Sequence, residues 1–289
     1  MRFMMMVKSD EKAESGALPD EKLLSAMGRY NDELMKAGAF MAGEGLQASA
    51  KGLRVRLASK KISVVDGPFA EAKELVGGFW IIQAKSKEEA VEWARRVPLR
   101  DGQIELRLLY EPEDFPAEPA PSAGPPPPEP SAPQPVRRQG TRRFIAMLKA
   151  DRVTESGALP DRKVLADMGE LMGDLAKAGM LLGGEGLKPS SQGARVHLAG
   201  GKRTVVDGPF TESKELIAGY IILQARSKED AVAWLERWLR IHGQLDPAGA
   251  AGEIELRSLA ELEDYPVDPA EKPEGWRAQE QKFRDRTGT

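Results

Sequence analysis

The chain has 289 residues, is 41% hydrophobic and 30% charged, and carries a formal net charge of −3. This length suits two domains, and the interspersed acids and bases leave no Lys/Arg surplus for neutralising phosphates, so nucleic acid is not an expected partner. The absence of cysteine excludes disulfides, thiolate nucleophiles and Cys-ligated zinc; with His197 and His242 as the two histidines, a metal site would have to be carboxylate-rich, and neither a metal nor a cofactor is expected. No apolar run approaches the length of a membrane span, and charge from Lys8 onward interrupts the short apolar N-terminus, which predicts a cytoplasmic protein with no membrane contact.

Phe3 to Val7 is a continuous apolar run and predicts a strand covered on both faces. A polar connection, 8–16, leads to a helix that starts near Pro19 and Asp20, buries Leu23, Met27, Tyr30 and Leu34 on one stripe, and stops at Gly38. Gly28 inside that helix suggests close approach of helix to sheet. Residues 39–46 form a second strand. Val55 to Leu57 and Ile62 to Val65 then make a hairpin around Ser59-Lys60-Lys61, which closes on Val64-Val65-Asp66-Gly67-Pro68-Phe69. Residues 77–84 are an apolar strand, and Ser86 to Glu89 has the spacing of a capping box for a second helix that buries Ala90, Val91, Ala94 and Val97. From 104 to 110 charged and apolar side chains alternate, as in a final strand.

The same order then recurs. From Phe144 the chain repeats itself at a constant offset of 141 as far as Trp234, including Val205-Val206-Asp207-Gly208-Pro209-Phe210 and a hairpin turn at Gly200-Gly201. Beyond Trp234 a nine-residue enlargement falls around 243–252. The organisation is a first domain at 1–111, a Pro/Ala-rich linker at 112–141, a second domain at 142–266 and a polar tail at 267–289, mobile, with a short helix near Trp276 to Arg284. Each copy reads as α+β, a ferredoxin-like split βαβ plan with an added hairpin. Two helices cover one sheet face; the other face needs a partner, and the second copy is at hand, so the chain is expected to form a sheet-on-sheet pseudo-dimer with itself.

The strand, hairpin and VVDGPF-E-x-K-E order, the Gly43-Glu44-Gly45-Leu46 segment and the SKEEAVEW helix start resemble the YCII-related superfamily, specifically its DGPF subgroup, in tandem over 1–111 and 144–261. The resemblance implies a dimeric α+β barrel and a bacterial protein. From the gene context of relatives it implies association with extracytoplasmic-function sigma factors. Some smaller relatives hold a His and an Asp together in a cleft. The Asp matches Asp66 and Asp207; the His has no match, since Gln47 and Lys188 stand where relatives often place it.

The candidate catalytic residues are therefore Asp66 and Asp207, as general acid/base groups or anchors for a ligand amine or hydroxyl, against the reading in which Asp bonds nearby backbone, Gly takes an unusual φ, Pro fixes φ and Phe enters the core. Lys73 and its counterpart Lys214, beside Glu71, Glu74, Glu212 and Glu215, are candidates to line a cleft with the aspartates, against the alternative of surface ion pairs. Glu44 with Arg54, and Glu185 with Arg195, could hold an anionic ligand or form a salt bridge between strands. His197 shares a strand face with Arg195, and His242 lies near Asp246 in the enlarged loop. The expected function is a small-polar-ligand binding or accessory module linked to bacterial regulation; the alternative is a hydrolase, lyase or isomerase acting through Asp66 or Asp207.

Overall fold

The structure is a computed structural model that describes residues 1–70, 74–115, 137–210, 215–245, 251–265 and 276–287. The first half runs β1 (Arg2–Lys8), α1 (Glu11–Glu14), α2 (Glu21–Lys36), β2 (Phe40–Gly45), β3 (Leu53–Ala58), β4 (Lys61–Asp66), β5 (Val76–Gln83), α3 (Lys87–Arg96) and β6 (Gly102–Leu108). The second half repeats it as β7 (Arg142–Lys149), α4 (Arg152–Glu155), α5 (Arg162–Lys177), β8 (Leu181–Gly186), β9 (Ala194–Ala199), β10 (Lys202–Asp207), β11 (Ile217–Ala225), α6 (Lys228–His242) and β12 (Ala251–Ser258). A last helix, α7 (Trp276–Thr287), follows.

Local chemistry accounts for most boundaries. Asp20 and Asp161 cap α2 and α5 by accepting from the N–H groups of Leu23 and Val164, and Gly38 and Gly179, with φ of +66° and +64°, follow their last turns. Ser86 caps α3, while the Glu89 carboxylate reaches the Lys85 N–H rather than that of Ser86. The stretch expected to be a plain polar connection contains the one-turn α1, capped by Asp10.

Two six-stranded antiparallel sheets result, in the orders β10-β9-β6-β1-β5-β2 and β4-β3-β12-β7-β11-β8. The hairpins are exchanged. β3–β4 of the first half extends the second half's sheet by pairing β3 with β12, Val55 opposite Ile254, and β9–β10 extends the first half's sheet by pairing β9 with β6, Val196 opposite Ile104. The hairpin expected to complete its own copy thus completes the other. Leu53, Val55 and Leu57 pack with Leu235, Trp238 and Leu239 of α6, and Ala194, Val196 and Leu198 pack with Trp93 and Val97 at α3, so each hairpin lies under the helix of the opposite half.

A third core lies between the sheets. Alternation along β1 sends Phe3 and Met5 toward the helices and Met4 and Met6 into a cluster with Phe79, Ile145, Met147 and Tyr220, drawn from both sheets. Both faces of β1 are therefore covered, and each such side chain taken out of water contributes roughly 1.5–3 kcal/mol. Within the tail, α7 lies against α2, Arg277 donates to the carbonyls of Leu262 (2.7 Å) and Tyr265 (3.0 Å), and the rings of Trp276 and Tyr265 meet edge to face at 5.1 Å. No helix among the described residues is long and apolar enough to cross a membrane.

Candidate functional site

The repeated VVDGPF motif ends each exchanged hairpin. A Cβ on Gly67 would lie 2.0 Å from the Ser49 carbonyl oxygen, and one on Gly208 1.8 Å from that of Ser190. Glycine is required here because another backbone passes too close, not because φ is positive, as the sequence had suggested. One residue past the proline, the N–H of Phe69 donates to Ser49 Oγ (3.1 Å) and that of Phe210 to Ser190 Oγ (3.2 Å). The guanidinium of Arg54 lies over the Phe69 ring, and that of Arg195 over Phe210, each 4.1 Å from the centroid.

From these contacts a closed ring of bonds grows in each half of the molecule. Arg54 donates to Glu255 (2.7 Å), which accepts from Arg257 (3.0 Å); Arg257 donates to Glu14 (3.1 Å), and Glu14 accepts the Ser49 N–H (2.8 Å), returning to the motif. In the matching ring Arg195 donates to Glu105 (2.9 Å), Arg107 donates to Glu105 (3.4 Å) and to Glu155 (2.9 Å), and Glu155 accepts the Ser190 N–H (3.0 Å). Each ring draws on both halves of the chain. Burial alone would push Glu255 up, but Lys149, Arg257 and Arg54 override it and hold the carboxyl at about 2; Glu105 is likewise lowered against its burial by Lys8, Arg107 and Arg195. Removing one member of such a network strands a buried charge, so the rings lock the halves in register.

A cavity of about 1010 Å³ lies beside α2 in the first half. Leu23 and Met27 of α2, with Phe79, Trp80, Tyr265 and Trp276, give it apolar and aromatic wall, and Trp80 is oriented by donation from its indole N–H to Asn31 (2.8 Å). Gly28 of α2 is also among the lining residues. Helix α7 covers one side: Arg284 reaches Glu280 (2.9 Å), Glu261 (3.6 Å) and Glu44 (3.7 Å). Burial raises the Glu44 carboxyl above its ordinary range, opposed by Arg143 and Arg284.

Asp66 and Asp207 do not line this cavity. They stand at the hairpin ends with side chains 71% and 72% exposed, Asp66 paired with Lys228 and Asp207 with Lys87 at 2.6 Å. Glu44 lies in the cavity wall but meets Arg143 (2.5 Å), while Arg54 goes to Glu255; Glu185 meets Arg2 (2.5 Å), while Arg195 goes to Glu105. The Glu–Arg combinations expected from sequence are therefore redistributed, because hairpin exchange carries Arg54 and Arg195 to the opposite sheet. His242 pairs with Asp151 (2.9 Å), at the cap of α4. Asp246, its expected neighbour, lies outside the described residues, as do Lys73 and Lys214. Among the described residues no group of three or more His, Asp and Glu could hold a metal ion. Sequence reasoning passed over Lys8, Glu14, Glu105 and Arg107; the available signal was the paired Ile-Glu-Leu-Arg of β6 and β12, which reads as an exposed alternation.

The model of the YCII-related domain matches the chain twice, over residues 1–111 and 144–263, and the chain belongs to that family as a tandem. It is also similar to an uncharacterised protein of Rhizobium meliloti (strain 1021), 27% identical over 124 residues that cover 40% of this chain and all of the relative. That relative has the length of one copy.

Proposed function

We propose that the chain is a small-ligand binding protein of the DGPF kind, two ferredoxin-like units joined as an intramolecular pseudo-dimer, with its ligand in the cavity beside α2. The cavity itself carries this reading: about 1010 Å³, with an aromatic wall and a few buried charged groups, is the size and make-up of a small-molecule site. The repeated VVDGPF supports the subgroup, and the core shared by both sheets supports the pseudo-dimer. Exposed Asp66 and Asp207, each engaged by a lysine, offer acid/base chemistry no enclosed partner.

The neutral dye N-phenyl-1-naphthylamine tests the cavity. Its emission should rise on binding the wild-type protein and fall at least about tenfold in apparent affinity with Gly28→Leu, which fills the space while improving helix propensity by about 1 kcal/mol. Equal dye binding by wild type and a folded Gly28→Leu would overturn the assignment.

A further inference from the structure

The two halves part company where α3 and α6 end. α3 stops at Arg96 because Pro98 cannot continue it, and the chain returns to β6 through Leu99 and Gly102. Its counterpart α6 runs on past Arg237, the match of Arg96, as far as His242. The added turn buries Trp238, Leu239, Ile241 and His242. His242 Nε2 meets Asp151 Oδ2 at 2.9 Å, and a Cβ built on Gly252 would lie 3.0 Å from Leu239 and 3.1 Å from the His242 ring. Just beyond, the Gln244 amide donates to Asp167 of α5 (2.9 Å) and closes that end of the second half.

The first half keeps the positions that receive this turn and lacks the turn itself. Asp10 matches Asp151 and caps α1 as Asp151 caps α4. Gly102 matches Gly252: it pairs with Leu198 as Gly252 pairs with Leu57. A Cβ on Gly102 would meet nothing within 4 Å. Asp10 Oδ1 accepts the Ala13 N–H (2.7 Å), as Asp151 Oδ1 accepts that of Thr154 (2.8 Å). The second Asp10 oxygen, whose counterpart holds His242, has no hydrogen bond among the described residues. Asp10, Leu99 and Gly102 all line the cavity beside α2. Its end between Asp10 and Gly102 is therefore the space that the second half fills with its own helix.

We propose that the cavity takes a nitrogen heterocycle bearing a ring N–H, seated between Asp10 and Gly102 as the His242 imidazole is seated between Asp151 and Gly252. The proposal rests on the cavity reading above and adds the chemical class of its ligand. The protein supplies the template in its other half, where an imidazole lies against a bare glycine with one nitrogen on the carboxylate that caps the short helix. The carboxylate of Asp10 can only accept, so it selects a donor and repels an anion. Gly102 leaves room for a flat ring, and the apolar and aromatic wall takes the rest of the molecule.

Calorimetric titration of the full chain at about pH 8, where both rings are neutral, compares benzimidazole with 1-methylbenzimidazole, which carries a methyl group in place of the N–H. Benzimidazole should bind at least about fivefold more tightly, the factor that one net hydrogen bond supplies. Asp10→Asn keeps the cap on α1, since Asn ranks with Asp at that position, but turns an NH2 group toward the ligand; the ratio of the two affinities should then fall to about one. Equal affinities in the wild type overturn the proposal and need no variant to show it. So does a preference that persists in Asp10→Asn whose circular dichroism matches the wild type. Dye binding by the wild type separates the two levels. If the dye binds while the preference is missing, the cavity reading stands and the heterocycle falls; if neither the dye nor benzimidazole binds, both fall.

Discussion

The rings centred on Glu255 and Glu105 match at Arg54 and Arg195, Arg257 and Arg107, and Glu14 and Glu155, but Lys149 and Arg54 also pair with Glu215 and Arg54 with Glu253, whereas in the other ring Lys8 meets the Glu74 backbone carbonyl and Gln103 stands in place of Glu253. The shared part is what joins the halves: motif glycine against the Ser49 or Ser190 turn, Phe under Arg, and Arg across to the other half's glutamate. The unshared part includes the pair of Arg56 and Glu253 across β3 and β12, whose places are held by His197 and Gln103 in the other ring. A repeated motif can therefore be retained for assembly while the residues around it diverge in purpose. The VVDGPF signature belongs to the assembly side of that division.

The largest effect should come from removing the central carboxylate of each ring. Glu105→Gln removes the carboxylate that Lys8, Arg107 and Arg195 share and should destabilise by about 3–5 kcal/mol, read from urea denaturation. Glu255→Gln should be milder, because Glu14, Glu215 and Glu253 remain on its cations; equal losses would show that the rings are not electrostatically different.

A smaller difference should appear in acid. Asp151 is pushed up by burial but drawn well below the usual carboxylate range by His242 and the Thr154 N–H, and the shorter α3 gives Asp10 no corresponding histidine. With the folded pKa below the unfolded one, this stabilisation is complete above about pH 4 and drains away as pH falls further. Losing the histidine raises the folded pKa, so His242→Gln should move the acid-unfolding midpoint, followed by circular dichroism, to higher pH. An unmoved midpoint would make the pair electrostatically silent.

The smallest effect concerns the two hairpin turns. Gly200 and Gly201 adopt φ of +54° and +88°, but their counterparts Ser59 and Lys60 adopt +48° and +66° with side chains attached. Ser59→Gly should stabilise by up to about 1 kcal/mol in thermal unfolding, while Gly200→Ser should cost a similar amount.

The strands, the helices and the duplication were legible because they rest on short-range patterns: the stripe of α2, the Asp20 and Ser86 caps, and the constant offset between copies. Hairpin exchange was not. Leu53, Val55 and Leu57 present the same apolar face whether β3 joins its own β6 or the equivalent β12, so alternation cannot choose between nearly identical partners. Glu105 and Arg107 were not singled out for a related reason: charges alternating with apolar residues usually mark a wet face, yet both are fully buried, because that face meets the ring from the other half. The tail helix was half legible. Its helix-forming run was visible, but its docking depends on arginines meeting carbonyls of Leu262 and Tyr265, which leaves no apolar stripe to read.

The exchanged hairpin also has a consequence in time. Arg56 on β3 finds Glu253 on β12 197 positions later. At ordinary rates of synthesis that interval is roughly 10–40 s. Throughout it the apolar face of β3 has left the ribosome and its permanent neighbour does not yet exist. The first half must therefore either shelter that hairpin on its own edge for a while, a borrowed pairing later surrendered, or leave it to whatever chaperone reaches it first.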